Sequence, residues 1–243
     1  MSAKEVRNGL KSHSAALSEK TAGFLRIKDK KAYRLMVRHT MRIQYYLKAL
    51  VDGLIMTSTY VDDISDWDMN DFLQSALLHD VGKIAIDELI LNKPGKLTEE
   101  EYEIMKTHVA AGVLAIVKLF GNKEYTFPNH ILLATGAHHE KWNGSGYPLG
   151  LRGTEIPLEG RLMAVVDVYD ALTSERPYKR AMKHDVACRI IEDGSGSHFD
   201  PLLIDVFRKV KYEFAIIARD RTRLDSVGVL LPPLNPDRVH PGA

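Results

Sequence analysis

Ala76-Leu77-Leu78-His79-Asp80-Val81-Gly82-Lys83 sets an imidazole and a carboxylate side by side among leucines and a valine. Polar groups in such company lie at or in a core, where they need hydrogen-bond partners or a metal ion. The run reads as the end of an apolar helix, in which neighbouring side chains diverge by about 100°. His79 and Asp80 therefore cannot easily close on one ion together. The pair suits two ions a few ångströms apart, with the carboxylate between them. The same spacing recurs at His138-His139, and single candidates lie at His39, His108 and Asp167, each on a predicted helix with apolar neighbours.

Outward from this run the chain reads as all-α, because period-2 alternation is scarce and apolar residues recur at helical intervals. Helices are predicted over residues 4–24, 33–56 and 66–78, the third capped by Asp66 or Asp68. Thr98-Glu99-Glu100-Glu101 is a capping box that starts a helix running towards Phe120, with a weak point at Gly112. Further helices are expected over 129–139, 159–173, 184–192 and 201–218. The runs Asn143-Gly144-Ser145-Gly146-Tyr147-Pro148 and 150–157 must be loops. This gives one compact helical domain over 31–218, a short helical extension over 1–30 and a proline-bearing tail over 219–243.

Composition narrows the function. The 243 residues are 45% hydrophobic and 27% charged with a formal net charge of +1, so no DNA- or RNA-duplex footprint is expected and any nucleotide must be read by a local site. One cysteine, Cys188, excludes a disulfide framework and points to a reducing, cytoplasmic compartment. No apolar run of about 18 residues predicts a membrane span, and the amino terminus lacks a secretion-signal core. Five histidines (His39, His79, His108, His138, His139) and two aspartates (Asp80, Asp167) form a nitrogen and hard-oxygen donor set without thiolate. That set favours iron, manganese or zinc over copper(I), with the carboxylates pulling towards iron or manganese. Two such ions about 3.5–4 Å apart polarise a phosphate and activate a bridging water for in-line attack. His13, His130, His184 and His240 have no matching partner and read as ordinary histidines, and His198, in a glycine-flanked loop, reads as structural.

Residues 33–205 resemble the HD-GYP family, a branch of the HD phosphohydrolases. The resemblance is carried by His79-Asp80-Val81-Gly82-Lys83-Ile84, Leu91-Asn92-Lys93-Pro94-Gly95-Lys96-Leu97, Met105-Lys106-Thr107-His108 and His138-His139-Glu140. It continues through Gly144-Ser145-Gly146-Tyr147-Pro148, Asp167-Val168-Tyr169-Asp170-Ala171-Leu172-Thr173, Arg176-Pro177-Tyr178-Lys179 and Gly196-Ser197-His198-Phe199-Asp200-Pro201. It implies a phosphodiesterase that cuts cyclic di-GMP, sometimes also cyclic GMP-AMP, to the linear dinucleotide or GMP. By family pattern His39, His79, Asp80, His108, His138, His139 and Asp167 are the metal ligands, Asp80 bridges two ions, and Asp170 is structural. Lys83, on a similar face to Asp80 and embedded by Val81 and Ile84, is expected beside the metals; Arg176 and Lys179 are expected to meet substrate phosphates. Tyr147 is expected to border the pocket, on a loop whose glycines let backbone approach a ligand or make a rigid turn behind His138-His139.

Two departures stand out. Where some members carry a metal-binding glutamate one turn before the first histidine, this chain has Leu35 beside Arg34 and Arg38, so two ions are expected rather than three. Residues 1–30 are too few for the sensory domain that usually precedes the catalytic one, and would cap the core, dimerise or dock a protein partner. The rival readings are another HD-type nucleotide phosphohydrolase, which shows fewer histidines, and a catalytically weak cyclic-dinucleotide-binding adaptor, whose relatives lose ligands.

Overall fold

The computed structural model describes residues 30–120, 126–175 and 180–219. The extension helix predicted over 4–24, His13, His240, the tail from 220 and the pair Arg176 and Lys179 lie outside the described residues.

All named elements among the described residues are helical, as the apolar periodicity requires. In chain order they are α1 (Lys30–Thr57), α2 (Val61–Ile64), α3 (Met69–Ser75), a 3-10 turn (Val81–Ala85), α4 (Glu88–Leu91), α5 (Glu99–Lys106) and α6 (His108–Phe120). After these come α7 (Thr126–Ala137), a second 3-10 turn (Gly153–Glu155), α8 (Leu158–Thr173), α9 (His184–Asp193) and α10 (Pro201–Arg219). None is long and apolar enough to cross a membrane. α8 is the central helix, packed against α1, α7, α9 and α10, and α1 lies along α10. Its burial is nearly continuous from Leu158 to Val166, which explains why its sequence is apolar on several faces rather than one.

The core has two parts. The larger joins α1, α8 and α10 around Tyr46, whose ring stacks on Phe214 at 4.7 Å and meets Tyr169 edge-on at 5.1 Å. The smaller holds Leu78, Val81, Ile116 and Ile131, all buried. Leu78 and Val81 flank His79-Asp80, so they anchor that pair from both sides; each such buried aliphatic side chain contributes about 1.5–3 kcal/mol.

Three local expectations are corrected. α3 is capped by Asp68, whose side chain accepts from the amides of Asn70 and Asp71, but it ends at Ser75, not Leu78. Residues 76–80 instead form tight turns, with the amides of Leu78 and Val81 donating to Ser75 and Leu78 carbonyls. The Thr98–Glu101 capping box is present, yet the helix it starts breaks at Thr107 rather than at Gly112. There Thr107 Oγ1 donates to the Ile104 carbonyl and the His108 ring to that of Met105, so side chains take up carbonyls at the helix end. Gly112 lies inside α6 and is a contact point: a Cβ on Gly82 would lie 2.4 Å from Gly112 N and 1.9 Å from the His108 carbonyl oxygen. The two glycines thus let the 3-10 turn touch α6, which brings Asp80 to His108. α7 likewise ends at Ala137, leaving His138 and His139 in a turn.

Candidate metal centre

Seven side chains from five parts of the chain meet in two groups: His39, His79 and Asp167; and Asp80, His108, His138 and His139. Within each group the ligand atoms lie within 4.8 Å of one another. Asp80 faces both groups. Its Oδ2 is 3.4 Å from His79 Nε2, while its Oδ1 is 3.5 Å from His108 Nε2 and 3.7 Å from His138 Nε2. In the first group Asp167 Oδ1 lies 3.8 Å from His39 Nε2 and 4.0 Å from His79 Nε2. His79 and Asp80, adjacent in sequence, thus fall in different groups. His138 and His139 do not repeat that split: both face the second group, because the chain has left the helix before them.

The histidines are aimed by their other nitrogen. His79 Nδ1 donates to the Ala76 carbonyl at 2.7 Å, His108 Nδ1 to Met105 at 2.7 Å and His138 Nδ1 to Thr135 at 2.9 Å. A proton held on Nδ1 leaves the Nε2 lone pair pointing inward, the arrangement of a metal-ligating imidazole. Those Nε2 atoms and Asp80 Oδ1 are buried with no hydrogen-bond partner. Three inward lone pairs and a carboxylate oxygen left unsatisfied together are costly without a cation between them. The donor set therefore fits a divalent metal, and the protein carries a centre suited to binding one.

Charge in the cluster follows the same plan. Burial opposes ionisation of Asp80, but Lys83 and His79 hold its carboxyl well below the usual carboxylate range. Burial, then His138, pushes His139 down to about 2, so its ring stays neutral. Burial also lowers His108, against the pull of Asp80, whereas the Asp80 and Asp167 carboxylates outweigh burial at His79 and raise it.

Lys83 Nζ donates to Asp80 Oδ2. Its side chain is 36% exposed and Ile84 is itself exposed, so Lys83 stands at the rim instead of being embedded. Tyr147 stacks on His139 with ring centroids 4.7 Å apart and planes 22° apart. The loop glycines approach protein backbone: a Cβ on Gly146 would lie 2.3 Å from Lys141 N and 2.5 Å from Glu140 Cα. Leu35 lies on α1 one turn before His39, and Arg38 is exposed.

Two contributors escape a reading of the sequence. Asp170, expected to be structural only, accepts from His39 Nδ1 at 2.7 Å and from Arg42 Nε and Nη2. Burial opposes its ionisation, but the Arg42 fork holds its carboxyl down to about 2. The signal was the spacing: Arg42 follows His39, and Asp170 follows Asp167, by one turn. Glu140, buried beside His139, accepts from the amides of Leu149 at 2.7 Å and Leu151 at 3.0 Å and so pins the Tyr147 loop to the cluster. Among the described residues the other histidines have partners of their own: His130 donates to Glu159, His184 pairs with the Tyr169 hydroxyl and His198 stacks on Phe199.

Comparison with known proteins points the same way. The profile described as HD domain matches residues 13–203. A Vibrio cholerae protein named probable cyclic di-GMP phosphodiesterase is 46% identical over 184 residues, 74% of this chain and 42% of that protein. A second, named cyclic di-GMP phosphodiesterase, is 45% identical over 183 residues, 74% of this chain and 37% of that protein. A third from the same organism, named 3'3'-cGAMP-specific phosphodiesterase 3, is 38% identical over 161 residues, 66% of this chain and 33% of that protein. The chain thus spans less than half the length of the relatives it matches.

Proposed function

Because this chain belongs to the HD domain family, we propose that it is a metal-dependent phosphodiesterase of the HD-GYP type that hydrolyses a cyclic dinucleotide. Cyclic di-GMP is the first substrate and 3'3'-cGAMP the second, with the linear dinucleotide, GMP or both as product. The observation that carries the reading is the convergence of unpartnered His79, His108 and His138 Nε2 atoms on Asp80. The sequence relatives named for these two substrates support the choice of ligand.

In this reading His39, His79 and Asp167 would hold one divalent ion and His108, His138 and His139 the other, iron or manganese by donor type. Asp80, which lies between the two groups, would serve both. When bound, the pair supplies Lewis acidity at a phosphoryl oxygen and readies a water for in-line attack. The protein's own part is placement. Asp170, clamped by Arg42, keeps the His39 proton on Nδ1. Lys83 sets a positive charge at the rim, where a phosphate oxygen would arrive. Tyr147 walls the pocket against His139. Arg176 and Lys179 are assigned to the substrate phosphates. The catalytic domain is placed at 31–218, in the cytoplasm, with residues 1–30 as the surface for a homodimer or protein partner.

The test is hydrolysis of cyclic di-GMP, 3'3'-cGAMP and mononucleotides by the full chain with manganese or iron. Cleavage of a cyclic dinucleotide, lost in Asp80→Ala, is the expected result. Hydrolysis of mononucleotides alone would mean another HD-type activity. Less than about one ion per chain without turnover would mean an adaptor.

A further inference from the structure

Beyond the residues of the cluster, the Tyr147 ring continues into a second surface. Tyr102 and Lys106, four residues apart on α5, share one helix face. The Tyr102 ring meets Tyr147 edge-on at 6.3 Å and 84°. Lys106 Nζ lies 5.5 Å from the Tyr102 centroid and 5.9 Å from that of Tyr147, in range for a cation–π contact with both. Its salt bridge to Glu103 at 2.6 Å holds the ammonium over the rings. His139, Tyr147, Tyr102 and Lys106 therefore form one continuous strip leading outward from the candidate metals. A structural role would favour burying these rings, yet Tyr102 is 47% exposed.

An exposed aromatic face beside a cation, next to a phosphate-cleaving centre, suits a nucleobase: rings stack on it irrespective of sequence, and the cation reads the edge. Lysine only donates. Guanine offers two adjacent acceptors, O6 and N7, whereas adenine sets an amino donor beside N7. Resting on the proposed cyclic-dinucleotide activity, we infer that Tyr102 and Lys106 form a guanine subsite, with Tyr102 packing on the base and Lys106 donating to its O6/N7 edge. The substrate selected is therefore one with guanine at this position, the other base being read elsewhere.

The experiment measures KM for cyclic di-GMP, and Ki for cyclic di-AMP as a competitor, with the manganese-loaded full chain. Lys106→Met is expected to raise KM for cyclic di-GMP about tenfold and to narrow its advantage over cyclic di-AMP by the same factor. Tyr102→Ala is expected to weaken both ligands roughly tenfold, and Tyr102→Phe to recover most of that loss. Tyr212→Ala, an exposed tyrosine on α10, serves as the remote control. A Lys106→Met variant that binds cyclic di-GMP like the wild type, or weakens both ligands equally, overturns the subsite while the activity stands. A wild-type chain that cuts no cyclic dinucleotide overturns the activity and the subsite together.

Discussion

Two of the buried polar clusters among the described residues, around Asp200 and around Asp80, are built on opposite principles. Around Asp200 every group is answered. Arg161 Nη1 donates to its Oδ2 at 2.7 Å, the Tyr60 hydroxyl to the same oxygen at 2.8 Å, and the Leu202 amide to Oδ1 at 2.9 Å at the start of α10. Arg161 Nε donates to the Ile156 carbonyl, and the guanidinium lies over the Tyr60 ring at 5.0 Å. Burial, then the bond to Asp200, pushes the Tyr60 hydroxyl up to about 12, so it stays a donor. Around Asp80 the histidines are as deeply buried, yet their inward nitrogens have nothing to meet. Burial therefore does not distinguish a structural cluster from a functional one. The distinction lies in whether the lone pairs are spent inside the protein or saved for a ligand.

The sharpest way to break this contrast is Asp80→Ala, which is expected to abolish hydrolysis and metal retention together. Manganese should raise the melting temperature of the wild type and leave that of this variant where it was, as metal analysis and thermal unfolding would register. Metal-independent hydrolysis by a folded Asp80→Ala protein would remove the distinction. Asp200→Ala should do the reverse. It strands a buried guanidinium and uncaps α10, costing about 3–5 kcal/mol in urea unfolding even with chelator present.

Asp170 belongs to both worlds, since its carboxylate is fully paired yet aims His39. Its folded pKa of about 2 lies below the unfolded value of about 4. Its stabilisation is thus complete above the unfolded value and is lost as pH falls towards the folded one. In metal-free protein Asp170→Asn should flatten the acid limb of stability between these values; an unchanged limb would show that another group carries it. The smallest effect is expected at Thr98→Ala, where loss of the capping box on α5 costs about 1 kcal/mol and leaves metal content untouched.

How far the sequence reaches can be judged residue by residue. The Thr98 box, the Asp68 cap and the long helices were legible because they depend on neighbours a few positions away. The break at Thr107 and the early ends at Ser75 and Ala137 were not. In each case an imidazole leaves the helical ladder and hydrogen-bonds a carbonyl three residues back through Nδ1, which turns its Nε2 towards groups distant in sequence. Gly112 also misled, since it reads as a weak point in a helix and is a packing contact instead. Gly82 is required by Gly112, thirty positions away in sequence, and no local pattern announces that contact.

Sequence alone determined the helical class and the donor chemistry: imidazoles and carboxylates without thiolate, set among apolar residues that force them inward. Tertiary structure alone decided how those donors are shared, with Asp80 between two groups, His138 and His139 on the same side, Asp170 aiming His39 and Glu140 pinning the Tyr147 loop. Side-chain type is written locally and dictates what a group can bind. Which lone pairs converge depends on angles summed over long stretches of chain, and packing settles those only when the helices meet.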